Sequence, residues 1–232
     1  MNKEVYLHIG FPRTGTTFLQ QEVFPKIEGL HFQHTMEKPF VPVPGKNLWS
    51  NEDFCGKPYI RSDFDRKCYL YGLSRLYPKA KVIIGIRDKE SLFKSMYTIF
   101  VKAGWAASYE KAREIMEVKY GDFDAIFQLV YDLFGKNNTY IYRFEDFVEN
   151  KRDCIDGICK FMGVKTPQYR DIRINVSWNE RQLKLCRFLN IINAKPGMKQ
   201  GFYSNKFFVN LLADDVMMKR NISIRKVMNM LK

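Results

Sequence analysis

The sequence predicts an α/β fold, a three-layer αβα sandwich around a central parallel sheet of about four to five strands. Three observations predict it. Short β-rich apolar runs alternate with longer stretches of helical spacing. The clearest run, KVIIGI at residues 81–86, is apolar on both sides of its alternation, the mark of a strand covered by helices on both faces. Residues 4–9 run straight into a glycine-bearing turn that is followed by a helical pattern, the strand–turn–helix order of parallel units.

Each element follows from its residues. Residues 4–9 form a buried strand ending at Gly10. Residues 16–27 set Phe18, Leu19, Val23 and Ile27 on one side of a helix. Residues 31–34 suit a second strand. Residues 35–45 hold Pro39, Pro42 and Pro44 and read as a loop, because proline fixes φ and removes a donor. A further strand is expected at 58–62 and a helix at 66–77. After KVIIGI, helices are expected over 89–103, 109–119 and 122–134, then a strand over 139–142 and a helix from about Glu145. Helices over 179–192 and 205–220 close the chain.

At 232 residues the chain is expected to be one domain, 1–232, with a helical basic C-terminal part over about 179–232. No run approaches the roughly 20 apolar residues that cross a bilayer, and the N-terminus lacks a signal-peptide pattern, so a cytoplasmic protein is expected. The five cysteines are scattered, with neither zinc nor redox spacing; reduced, mostly buried thiols and no metal site are expected. The net charge of +13 attracts anions, and residues 178–232 supply +8 of it, with eleven Lys/Arg against three acids. Near the end, Ile224, Val227, Met228 and Leu231 follow helical spacing beside Arg225 and Lys226. This segment is expected to pack on the domain, with peripheral contact to an anionic membrane as the alternative. A non-enzymatic nucleic-acid-binding protein would interleave basic residues with exposed aromatics. Here the aromatics fall mainly at core-like spacing, so no nucleic-acid partner is expected.

The chemistry concentrates after the first strand, in Gly10-Phe11-Pro12-Arg13-Thr14-Gly15-Thr16-Thr17. Such a turn aims several backbone N–H groups one way, and the following helix adds its positive end, which makes an anion cradle. Thr14, Thr16 and Thr17 add hydroxyls. The loop is P-loop NTPase-like, yet Thr16 stands where a nucleotide triphosphatase carries its lysine, and the cation is Arg13. No apolar run ending in a magnesium-binding Asp follows. These departures argue against a P-loop-type small-molecule kinase and for an anion handled by arginine without a metal. A second anion site follows KVIIGI, which delivers Arg87 to the end of a strand where ligands bind in open α/β sheets. Ser95 lies two helical turns further on.

HIGFPRTGTTFLQ resembles the 5′-phosphosulfate loop of sulfotransferases that use 3′-phosphoadenosine-5′-phosphosulfate (PAPS), and IRDKESLFKSMY resembles their 3′-phosphate motif, an Arg-Asp with a Ser eight residues after the Arg. IYRFEDF at 141–147 is similar to their Tyr-Glu-Asp-Leu segment, and INVSWNE at 174–180 to an Asn-x-Ser stretch. The departures are Arg13 where many members have Lys, and Lys89 where a Pro often follows the Arg-Asp. The resemblance implies transfer of a sulfuryl group from PAPS to a hydroxyl or amine of an acceptor such as a glycan, lipid or small metabolite, with release of 3′,5′-ADP. It implies that Arg13, Thr14, Gly15, Thr16 and Thr17 bind the 5′ end, that Arg13 stabilises the departing charge, and that Arg87 and Ser95 grip the 3′-phosphate.

The acceptor also needs a base. Glu37, Asp63, His31 and His34 lie between the two anion motifs, with Glu37 and Asp63 ranked equal. Asp63 follows Arg61-Ser62 where bacterial relatives often show Ser-x-Glu. Glu145 and Asp146 are expected to favour a helix N-terminus. Trp49, Phe54, Trp105 and Trp178 are candidates for lining an aromatic acceptor pocket.

Overall fold

The computed structural model describes residues 2–34, 39–55, 63–120, 123–172 and 178–193. The expected strand at 58–62, the helix over 205–220, the apolar stripe at 224–231, Glu37, Asn175 and Ser177 lie outside them. The described residues fall into two compact units. One holds residues 1–92 and 116–174, and the other holds 93–115 together with the last described helix.

The first unit is built on five strands: β1 (Lys3–His8), β2 (Leu30–Gln33), β3 (Gly45–Ser50), β4 (Lys81–Ile86) and β5 (Thr139–Arg143). All adjacent pairs are parallel, in the order β2-β3-β1-β4-β5. The helices along the chain are α1 (Thr16–Phe18), α2 (Asp63–Leu76), α3 (Lys89–Lys102), α4 (Tyr109–Tyr120), α5 (Phe123–Phe134), α6 (Phe144–Glu149), α7 (Lys151–Met162) and α8 (Glu180–Asn193).

Alternation along the strands makes the layers. Tyr6, Leu48, Ile83 and Tyr142 face Phe18, Leu19, Phe147, Ile155, Ile158 and Met162, so α1, α6 and α7 cover one face. Leu7, Val82 and Ile84 face Leu70, Leu73, Ile126, Val130 and Phe134, so α2 and α5 cover the other. Removing one of these buried aromatic side chains typically costs about 3–5 kcal/mol. The expected three-layer αβα fold with a parallel sheet is therefore the observed one.

Three local features depart from the sequence pattern. β3 hides behind polar residues. Its Asn47 is fully buried, donating to the carbonyls of Glu4, Val43 and Gly45 and accepting from the Val43 N–H. The single helix expected over 16–27 is α1 followed by a π-helical stretch, Leu19–Val23, and a 3-10 turn, Phe24–Lys26, where Pro25 has no N–H to extend an α ladder. The helix expected from Glu145 is two helices, because the Asn150 side chain accepts from the Asp153 N–H and caps a new start at α7. Gly163, in the left-handed region, ends α7.

The second unit has its own small core of Val101, Cys186 and Leu189. Asn190 ties α8 to the residues after α3 by donating to the carbonyls of Val101 and Trp105, at 2.8 and 3.0 Å, and Arg187 Nε donates to Ala106 at 3.0 Å. No helix among the described residues is long and apolar enough to cross a membrane.

Candidate active site

The site grows from the carboxyl end of β1. Beyond the strand, the Ile9 N–H donates to Ile83 at 2.9 Å and the Phe11 N–H to Gly85 at 3.0 Å, so the turn leaves the sheet stitched to the end of β4. Arg13 then takes φ 68°, the only non-glycine at positive φ among the described residues. That conformation costs an L residue about 1–2 kcal/mol, and the surroundings must hold it. Thr14 is fully buried, and its hydroxyl donates to the Phe11 carbonyl at 2.6 Å. Gly15 takes φ 88°, and a Cβ there would meet the Phe147 ring at 3.0 Å, so both backbone and space favour glycine.

Arg87 reaches this turn from the end of β4. Its Nη1 donates to the Arg13 carbonyl at 3.1 Å and its Nε to Ser91 Oγ at 2.9 Å, while its guanidinium lies 4.2 Å from the centre of the Phe144 ring. Asp88 opens α3 by accepting from the Ser91 N–H at 2.8 Å, and its own N–H donates to Glu145 Oε1 at 3.1 Å. Glu145 is therefore more than a helix-terminal acid: it fastens α6 to the end of β4.

The electrostatics favour an anion. Burial lowers the pKa of Arg87, and the nearby charge of Arg13 lowers it further, against the pull of Glu145 and Asp88. Burial likewise lowers Arg13, opposed by Glu52. Two half-buried guanidiniums that repel each other beside a turn of backbone N–H groups gain from any dianion placed between them.

Glu52 was not among the sequence candidates. The Asn51 N–H donates to the His8 carbonyl at 2.9 Å, which carries the β1–β3 ladder one residue past Ser50. The 3-10 turn Glu52–Cys55 thus starts at the same end of the sheet as the Arg13 turn, and the charge of Glu52 acts on Arg13. Residues 50–52 read Ser-Asn-Glu and lie at the carboxyl end of β3. The unrecognised strand β3 concealed them.

The other candidates sit on other elements. Asp63 opens α2, and its side chain is outside the described ones. His31 and His34 are exposed, at and just beyond the edge strand β2, and stack on Phe40 and Phe32. Ser95 is buried on the part of α3 that belongs to the second unit. Trp49 and Phe54 pack together in the first unit, and Phe54 is core; Trp105 and Trp178 belong to the second. Cys154, Cys159 and Cys186 are buried free thiols and Cys68 is exposed. Burial pushes the Cys154 thiol up to about 12 and Cys186 to about 11, so neither is a nucleophile at neutral pH. No group of metal-ligating side chains occurs among the described residues.

Comparison with known proteins agrees with this fold. Residues 4–207 match the family model described as a sulfotransferase domain. A solved sulfotransferase from Alicyclobacillus acidocaldarius superposes with a TM-score of 0.57 at 14% identity, over 82% of this chain and 92% of that one. Mouse sulfotransferase SULT7A1, solved in complex with PAP, superposes with a TM-score of 0.51 at 12% identity, over 99% of this chain and 82% of that one. At such identities the likeness is one of fold. No curated protein sequence matches the chain.

Proposed function

The chain belongs to the sulfotransferase family, and from that premise we propose that it moves a sulfuryl group from PAPS to a hydroxyl or amine of an acceptor, releasing 3′,5′-ADP. The observation that carries this reading is the Arg13–Arg87 pair, two cations drawn together at the mouth of a parallel sheet beside a turn of backbone donors.

The roles follow from the chemistry. The acceptor oxygen attacks sulfur in line with the bond to the bridging oxygen of the donor. The new S–O bond forms as the old one breaks, and negative charge collects on the bridging oxygen of the departing 3′,5′-ADP. Arg13 and the backbone N–H groups of Thr14–Thr17 face that charge. One preorganised donor of this kind is commonly worth ~3 kcal/mol of barrier. Thr14 serves through its N–H, because its hydroxyl is already given to Phe11. Arg87 takes the 3′-phosphate. Glu52 takes the acceptor proton, since its field reaches Arg13, where the sulfuryl group would sit. The acceptor is a molecule such as a glycan, lipid or small metabolite.

Thermal-shift titration tests the donor. The protein should be stabilised by 3′,5′-ADP at concentrations where AMP and ATP have little effect. Stabilisation by Mg-ATP, with none by 3′,5′-ADP, would replace this reading with a kinase.

A further inference from the structure

Beneath the Arg13 turn, buried polar side chains touch in series across the sheet. Gln20 Nε2 lies 3.0 Å from Ser50 Oγ and 3.1 Å from the Ser50 carbonyl. Ser50 Oγ is 2.6 Å from His8 Nδ1, and His8 Nε2 is 3.2 Å from the Tyr142 hydroxyl. The Tyr142 hydroxyl and the Thr14 hydroxyl both lie over Gly85, Thr14 Oγ1 is 3.5 Å from Thr16 Oγ1, and Thr14 donates to the Phe11 carbonyl. His8, Ser50 and Thr14 are fully buried, and Tyr142 is 3% exposed.

The series runs from β3 through β1 to β5 and must pass the end of β4. It passes at Gly85. A Cβ there would stand 2.4 Å from the Tyr142 hydroxyl and 2.6 Å from Thr14 Oγ1, so both oxygens occupy the space that a side chain would fill.

Counting protons gives the series one direction. A carbonyl only accepts, an amide NH2 only donates, and a hydroxyl has a single proton. Ser50 takes an amide proton from Gln20, so its own proton goes to His8 Nδ1, and Thr14 spends its proton on Phe11, so a bond between Tyr142 and Thr14 runs from Tyr142. Tyr142 then accepts from His8, which requires the proton on Nε2. Nδ1 is left as an acceptor for the Ser50 hydroxyl, and Ser50 accepts from Gln20. Every buried group is satisfied in this order. Reversing it asks the one Thr14 proton to serve both Phe11 and Tyr142 and leaves the Ser50 proton without its acceptor.

We propose that this one-way chain, Gln20 to Ser50 to His8 to Tyr142 to Thr14 to Phe11, is what holds the Arg13 turn in its nucleotide-binding shape. His8 is fixed as the neutral Nε2–H tautomer, and Tyr142 is a positioning residue for Thr14. The inference rests on the PAPS reading and adds a role for residues that touch neither the nucleotide nor the acceptor. The chain also joins the turn to Ser50, two residues before Glu52, so cradle and base are set by one network.

Three measurements test it. In wild-type protein with 15N-labelled histidine, the His8 resonances should show a protonated Nε2 and a bare Nδ1, unchanged between pH 8 and pH 5. A proton on Nδ1, or a cation at pH 6, overturns the proposal whatever the enzyme does. Tyr142→Phe and His8→Leu should each weaken 3′,5′-ADP binding about tenfold, the scale of one unsatisfied buried polar group. His8→Gln, which can still donate to Tyr142, should recover most of that loss. Near-UV circular dichroism identifies variants that fold. If wild type binds 3′,5′-ADP and the folded variants bind it equally well, the positioning role falls and the PAPS reading stands. If wild type does not bind 3′,5′-ADP, both fall.

Discussion

Arg87 donates to the backbone carbonyl of Arg13 at 3.1 Å, so one guanidinium fixes the strained backbone that carries the other. Removing Arg87 should therefore act twice, by deleting a phosphate contact and by releasing the Arg13 turn. Arg87→Ala is expected to weaken 3′,5′-ADP at least tenfold and to abolish its preference over AMP, measured by calorimetric titration. Arg87→Lys should not restore the preference. Lysine cannot give one donor to Arg13, another to Ser91 and a flat face to Phe144 at once. A lysine variant with wild-type discrimination would show that charge alone suffices.

Glu52 separates chemistry from binding. Glu52→Gln keeps the size of the side chain and removes its basicity. Turnover with a competent acceptor should fall by about 10²–10⁴, the usual share of a general base. The 3′,5′-ADP dissociation constant should stay within about threefold, because this carboxylate is assigned no nucleotide contact. Equal losses in turnover and in nucleotide affinity would instead mark Glu52 as a support for Arg13.

The sheet and the cradle were legible because their residues have strong local signatures. KVIIGI has no other reading than a buried strand, and Gly10–Thr17 carries glycine and hydroxyl residues where a strand meets a helix. β3 was illegible because Asn47 is buried at 0% exposure and satisfied by backbone groups, which periodicity scores as solvent-facing. With β3 went Ser50 and Glu52, and so the base candidate. The Arg87–Arg13 bond and the role of Tyr142 are contacts between residues 74 and 134 positions apart, respectively, counted to Arg13 and to His8, and no spacing rule reaches that far. His8 carries no signature of its role in the sequence; only the folded sheet supplies its two partners.

Gly85 is a second point of leverage. Gly85→Ala puts a methyl group 2.4 Å from the Tyr142 hydroxyl and 2.6 Å from Thr14 Oγ1, well inside contact distance. Overpacking of this kind costs typically about 1–3 kcal/mol. The strain falls on the two groups that hold the turn. Thermal unfolding should occur at lower temperature, and the added stabilisation by 3′,5′-ADP should shrink as well. A variant that melts early but gains as much from the nucleotide as wild type would show that the turn tolerates the displacement.

Acid should expose a separate clamp behind the cradle. Glu22 lies in the π-helical stretch that continues α1, nearly buried, and accepts from Arg170 Nη2 at 2.5 Å, from Arg170 Nε at 3.1 Å and from Lys26 at 2.8 Å. These donors, Arg170 foremost, hold its carboxyl down to about 2. The folded state therefore releases this proton more readily than the unfolded chain, where a glutamate titrates near 4.3. The clamp's stabilisation is fully present above that value and is lost as pH falls toward 2. Glu22→Gln should accordingly lower the melting temperature at pH 7, and the gap from wild type should narrow steadily between about pH 4.3 and pH 2. A gap that stays constant across that window would mean that the charge of Glu22 contributes nothing beyond its shape.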